Sequence, residues 1–140
     1  MRAVIDNNVI IDAVASRSPF NRNADKIVLL AGDGRFDGCI TTNSATDIFY
    51  VMKKAAGASA AKNLLTHLFN LFEVLTVAGE DCREALLLPM DDFEDALLVV
   101  CAKKVKADYI VSRDEDFLKT SSPVPIVSPK EFLMKFNVYG

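Results

Sequence analysis

Apolar and polar positions alternate along the chain in two patterns. Short apolar runs, RAVID at 2–6, DGCITT at 37–42, FEVLTV at 72–77 and ADYIVS at 107–112, have the length and residue types of strands. Longer stretches with apolar residues three and four apart predict helices over 7–16, 23–36, 43–57, 58–72, 79–88 and 91–106. Asn23 is placed to cap the second of these, and Pro89 stops the fifth. A turn or short helix over 113–120 and a candidate fifth strand at 124–129 follow. A last helix over 128–137 has Ser128 as its cap and Pro129 in its first turn. Strands alternating with helices predict an α/β fold with a central parallel sheet of four to five strands, covered on both faces. RAVI and YIVS show no polar alternation, as strands buried on both sides require. There is no repeat or linker, so residues 1–140 are read as a single domain.

In such folds ligands bind outside the carboxyl ends of the strands. The opening MRAVIDNNVIID drives Asp6 and two asparagines into an apolar stretch at that end of the first strand. Asp114 stands in the equivalent place after YIVS. Asp95 lies in the first turn of the helix leading towards that strand, and Asp47 in the first turns of the helix after DGCITT. Asp6, Asp47, Asp95 and Asp114 are therefore expected to converge. Each also has an ordinary reading. Asp91 or Asp92 can cap its helix, with Glu94 or Asp95 completing a capping box, and Asp114 can cap the turn that follows it. Asp95, however, shares a helical row with Leu98 and Val99. Carboxylates gathered this closely repel one another unless a divalent cation sits among them. Oxygen ligands without nearby His or Cys select Mg²⁺ or Mn²⁺. One such ion, or two about 4 Å apart, suits hydrolysis of a phosphodiester by water, with no side-chain nucleophile.

Composition narrows this reading. The chain has 140 residues, 51% hydrophobic and 25% charged, with a net charge of −3. No broad basic face is available, so nucleic acid must be guided by local cations. Arg113 beside Asp114, and Lys53 and Lys54 along the helix from Asp47, are the substrate-binding candidates. Cys39, Cys82 and Cys101 are far apart and form no zinc motif, which suits a reducing cytoplasm. No signal peptide is expected ahead of Asp6, and the apolar run at 96–102 is too short to span a membrane. His67, the only histidine, lies in a helix-like stretch and is read as structural. The apolar helices, including 63–75, exceed what one small sheet can cover and point to a homodimer.

VIDNNVIIDA, SATDIFYVMKK, DFEDALLVVCA and ADYIVSRDEDF, in this order, resemble the PIN (PilT N-terminal) domain family over essentially the whole chain. The resemblance is closest to small bacterial members, many of which are VapC-type toxins of toxin–antitoxin pairs. It implies metal ligands at Asp6, Asp95 and Asp114, with Asp116 as an adjacent alternative, and polar support from Asn8 and Ser112. Asn7 stands where the family has Thr or Ser. Asp47 stands where it has Glu, and so is expected to act through water. The family implies a three-layer α/β/α sandwich and a Mg²⁺- or Mn²⁺-dependent endoribonuclease. It also implies a frequent homodimer and, for toxins, an antitoxin that covers the acidic cleft. A haloacid dehalogenase-type phosphatase would need a second acid where Asn8 stands. The rival reading, prompted by Asp47, is a weak or inactive PIN-like module that binds RNA or protein.

Overall fold

The computed structural model describes residues 1–136. The elements run β1 (Arg2–Ile5), α1 (Asn7–Val14), α2 (Asn21–Gly32), β2 (Asp37–Thr41), α3 (Thr42–Ala56), α4 (Ala58–Leu71) and β3 (Glu73–Leu75). Then come α5 (Gly79–Ala85), α6 (Phe93–Lys104), β4 (Tyr109–Val111), α7 (Glu115–Leu118), β5 (Ile126–Val127) and α8 (Pro129–Met134). The five strands form one sheet in the order β3-β2-β1-β4-β5, with every pair parallel. All five carboxyl ends therefore lie on one edge.

Successive residues of β1 point to opposite faces. Ala3 and Ile5 pack with α1, α2, α3, α4 and α8, in a core that holds Ile10, Ile27, Ile48, Leu68 and Phe132. Val4 packs on the other face with Leu98, Val99 and Cys101 of α6 and Phe117 of α7. Residues of α6 from Ala96 to Ala102 are buried without a break, because α5 covers the side that the sheet does not. The result is an α/β/α sandwich. Central β1 is buried on both faces, which is why its sequence lacks a polar alternation.

The helix starts follow local chemistry. The Ser128 hydroxyl accepts from the Glu131 N–H and the Glu131 carboxylate accepts from the Ser128 N–H, closing a capping box ahead of Pro129. The Asp92 carboxylate accepts from the Asp95 N–H at 3.0 Å. The start of α2 differs from expectation. It begins at Asn21 with Phe20 in the cap position, so Asn23 lies inside the first turn. A backbone N–H from Asn21 to the Arg17 carbonyl at 2.9 Å starts this turn early. Several helices also end earlier than their apolar periodicity. The chain after α2 turns at Gly34, whose φ of +69° suits glycine, and Phe36 is thereby returned to the core. Of the expected last helix, Asn137 lies outside the described residues.

Gly38 on β2 sits against aromatic rings. A Cβ there would lie 2.7 and 2.9 Å from two ring carbons of Phe72 and 3.2 Å from Phe36. Gly38→Ala is expected to cost about 1–3 kcal/mol through overpacking. A thermal melt should show Tm lowered by several degrees.

Candidate active site

Asp6 is the first residue beyond β1. Its backbone N–H donates to the Val111 carbonyl at 2.9 Å, so the ends of β1 and β4 are tied together. Its carboxylate accepts from the Ser112 hydroxyl at 2.8 Å and from the Asn8 amide at 3.2 Å. Ser112, fully buried, accepts in turn from the Asp114 N–H at 3.1 Å. The Asn8 carbonyl oxygen accepts from the Arg113 N–H at 3.4 Å. Asn8 and Ser112 therefore hold Asp6 and the start of the Asp114 loop in one knot. Asp114 caps α7, accepting through Oδ1 from Asp116 at 3.0 Å and Phe117 at 3.4 Å. Capping uses one carboxylate oxygen and leaves the other for a site.

Two adjoining cavities share Asp95. A cleft of about 440 Å³ is lined by Asp91, Asp92, Asp95, Asp114 and Asp116, with Pro89, Met90 and Thr120. A small cavity of about 20 Å³ is lined by Asp6, Asn7, Thr41, Asn43, Ser44, Glu94, Asp95 and Leu98. The second is the size of one water molecule or a bare cation. Burial is the main reason that the Asp95 carboxyl is pushed up to about 7, with Asp92, Asp6, Asp114 and Glu94 adding repulsion. Burial also pushes Asp6 up, against the Ser112 hydrogen bond and the N–H groups of Asn7 and Asn8. Asp6, Asp95 and Asp114 thus feel one another's charge, although they come from three separate elements.

Glu94 is a member that the sequence reading treated only as a possible cap. It lines the small cavity, and burial, then Asp47, Asp92 and Asp6, raise its carboxyl. Asn43 was missed altogether. Its Oδ1 is the buried side-chain oxygen that lacks a hydrogen-bond partner among the described residues. The signal for both was position: each lies in the first turn of a helix that begins at the strands' carboxyl edge. A cation-sized cavity walled by Asp6, Asn43, Glu94 and Asp95, with the Asn43 oxygen unpartnered, offers hard oxygen donors of the kind that suit Mg²⁺ or Mn²⁺.

The other expected residues are placed differently. The Asp47 carboxylate accepts from the Asn7 amide at 2.8 Å and does not line either cavity. Asn7 thus spans the gap between Asp47 and the first strand's end. Arg113 was expected to meet phosphate. Instead its guanidinium forms an ion pair with buried Asp12, donating from Nε to Oδ2 and from Nη2 to Oδ1, the latter at 3.1 Å. A carboxylate buried in α1 needs that charge more than the solvent-facing cleft does. Lys53 and Lys54 are exposed in the last turn of α3, about 9 Å along the helix from Asp47. Lys54 lies over the Tyr50 ring, and neither lysine lines a cavity of the site. His67 is exposed on α4.

Three ligand atoms elsewhere lie within 4.8 Å of one another, on Asp37, Cys39 and Glu73. The carboxylates of Asp6, Asp95 and Asp114 are spaced more widely than this. The Asp37 group already has a cation, because Arg2 Nε lies 2.7 Å from Asp37. Its thiol is a poor ligand, since burial and then Asp37 and Glu73 push Cys39 up to about 12.

The profile of the PIN domain family matches residues 2–116. The chain belongs to the PIN domain family. Solved structures with the same fold include a toxin–antitoxin complex from Klebsiella pneumoniae, at TM-score 0.68 and 17% identity, covering 91% of this chain and 97% of that one. VapBC2 from Rickettsia felis bound to a promoter DNA fragment matches at TM-score 0.66 and 14% identity, over 91% of this chain and 98% of the other. VapC20 of Mycobacterium tuberculosis, a sarcin–ricin loop cleaving toxin, matches at 0.64 and 16%, over 82% and 92%. No curated protein matches the chain by sequence. Among the described residues of this PIN domain, no helix is long and apolar enough to cross a membrane.

The raised carboxyl of Asp95 has a consequence for stability. Its folded value of about 7 exceeds the ordinary 3.8, so between those limits the folded chain keeps a proton that the unfolded chain has lost. The stability that Asp95 contributes therefore falls as pH rises through this window and is least above pH 7. Asp95→Asn, studied by thermal melts with chelator present, should raise Tm by a few degrees at pH 8. At pH 4 it should match the parent.

Proposed function

We propose that this PIN domain is a metal-dependent endoribonuclease that cleaves phosphodiester bonds in RNA. The observation that carries this is the meeting of Asp6, Glu94, Asp95 and Asp114 around two cavities that share Asp95, with Asn43, whose side-chain oxygen has no partner among the described residues, in the wall of the smaller. Asp6, Asp95 and Asp114 would hold a Mg²⁺ or Mn²⁺ ion, with Asp116 at the rim. The ion would supply Lewis-acid stabilisation of charge on the phosphoryl oxygens. Ser112 and Asn8 orient the Asp6 carboxylate by donating to it. Burial and the charge of its neighbours push the Asp95 carboxyl up, and a cation held there would answer that charge and keep Asp95 as a ligand. A water attacks phosphorus and releases its proton to solvent. The bond to the leaving oxygen then breaks, and the phosphate ends as a monoester. Asp47 supports the site from one layer back through Asn7.

The likeness to toxin–antitoxin structures supports a toxin role, with an antitoxin partner that covers the acidic cleft. A cytoplasmic location follows from that role. Exposed Leu29, Phe69, Leu86 and Leu87 leave apolar surface for partners, and a homodimer belongs to the same reading. Sedimentation at micromolar concentration is expected to give the dimer mass.

The test is cleavage of unstructured RNA by purified protein, with and without Mn²⁺ or Mg²⁺. Asp6→Asn, Asp95→Asn and Asp114→Asn should each cost more than the roughly 10–100-fold that losing a ligand's hydrogen-bonding support costs. Circular dichroism should show the fold intact. Full activity in any of the three would remove that residue from the site, and no cleavage by the parent would favour a binding module.

Asp47 makes a separate prediction. Asp47→Ala frees the Asn7 amide and should lower Mn²⁺ affinity and cleavage by about tenfold. Asp47→Glu, longer by one methylene, should raise both. Calorimetric titration of Mn²⁺ into the three proteins, with cleavage in parallel, measures this.

A further inference from the structure

A second groove opens beside the acidic cleft, and its chemistry is opposite. It is about 150 Å³ and is lined by Pro19, Phe20, Asn23, Arg113, Ser128, Pro129 and Lys130. Arg113 is the link, because its neighbours on either side, Ser112 and Asp114, belong to the acidic site. The Arg113 guanidinium lies over the Phe20 ring, 4.2 Å from its centroid. Asp12 fixes that guanidinium from behind through two hydrogen bonds. Phe20 is nevertheless 47% exposed, so much of the ring not covered by Arg113 faces solvent. An aromatic ring at a loop tip is held in place rather than buried.

The surrounding charge is positive. Exposed Arg17 and Arg22 flank Phe20 in sequence, and Lys130 stands at the groove wall. The nearby carboxylates are largely answered. Asp12 is paired with Arg113, and the Glu131 carboxylate is closed back onto Ser128 at 3.0 Å. Asp25 is exposed one turn further along α2. Net charge in the chain is −3, so this is a local basic spot on an acidic protein.

We infer that this groove binds an unpaired nucleotide of the RNA, its base stacked on the Phe20–Arg113 pair and its phosphate met by Lys130. The inference rests on the ribonuclease reading and names where the strand beside the cut is held. Aromatic and guanidinium planes are the surfaces on which unstacked bases are held, and every base has a face that can use them. The Asn23 amide at the wall offers both a donor and an acceptor to a base edge. A strand whose phosphate lies at the carboxylates needs cations close by, and the acidic cleft has none of its own. Arg113 is committed to Asp12, so the cations the groove offers are Lys130 at its wall and Arg17 and Arg22 beside Phe20. The subsite also requires an unpaired base, because a base inside a duplex is stacked against its neighbours on both faces.

The chain contains no tryptophan, so Phe20→Trp gives a lone fluorescent reporter in the groove. The probe is a short fluorescein-labelled single-stranded RNA of mixed sequence, and the same sequence as a duplex. Binding is read in an Asp6→Asn background so that the RNA is not cut. Phe20→Trp fluorescence should be quenched by the single strand and not by the duplex. Phe20→Ala and Phe20→Leu should each weaken single-strand binding by roughly tenfold, the loss of one stacked base. With Asp6 present, the Phe20→Ala defect should fall on KM rather than kcat, with Mn²⁺ affinity unchanged by calorimetry. Lys130→Ala should weaken binding and lessen its salt dependence. Unchanged binding in Phe20→Ala, or full rescue by Phe20→Leu, would overturn the subsite. Quenching by the duplex as strong as by the single strand would do the same. The two readings fail separately. Normal cleavage with normal KM in Phe20→Ala removes the subsite and keeps the nuclease. Phe20-dependent binding without cleavage by the parent removes the nuclease and keeps the subsite.

Discussion

Like charges repel, and this fold brings them together. A parallel sheet ends all its strands on one edge, and the helices that feed those strands begin there too. Aspartates at strand ends and in first helical turns are thus collected whether or not they attract one another. The hydrogen bonds of Asp6 are what make the collection stable. Ser112 and Asn8 donate to its carboxylate from the adjacent strand end and the following helix. They offset part of the burial that pushes its carboxyl up. Asp95 has fewer such donors and keeps a proton up to about pH 7. The same crowding that costs stability creates the demand for a cation.

The apolar layers serve this arrangement. Asp95 is carried at the start of α6, a helix buried on nearly every side between the sheet and α5. A helix so enclosed cannot rotate to carry Asp95 into solvent. On the opposite face α1 brings Asn7 and Asn8 to the edge, and its buried residues Val9, Ile10 and Ile11 lock it against β1. The loop after β4 is fixed in two ways at once, by Ser112 on the site side and by Arg113 on Asp12 behind it. Asp12 is 1% exposed, and removing its partner would leave a charge stranded in the core.

Charged groups of opposite sign are sorted around the loop that follows β4. The Arg113 guanidinium is committed to Asp12 and shows its remaining plane to Phe20. Cation and ring lie on one side of the Ser112–Asp114 segment, and the carboxylates on the other. The ion pair and the ring thus lie next to the acidic cavities without entering them.

Much of this was readable from the chain alone. Strand and helix alternate because residues in a parallel sheet must be apolar on both faces, so RAVI and YIVS are visible without any structure. The edge at which Asp6, Asp95 and Asp114 gather follows from chain direction, which strand order cannot alter. Capping by Asp92 and Ser128 is legible for the same reason, since a cap is satisfied within four residues. Contacts between distant residues of unlike type were not legible. Nothing near Arg113 in sequence says that it will leave the cleft for Asp12, a hundred residues earlier. Burial of that carboxylate decided it, and burial is a property of the packed chain. Glu94 and Asp47 changed places in prominence because one methylene and one helical turn set which oxygen reaches a cavity. The Asn43 oxygen became notable only when packing removed its partners. Local propensity and chain direction determine which groups reach the edge, and tertiary packing decides which of them are left facing one another.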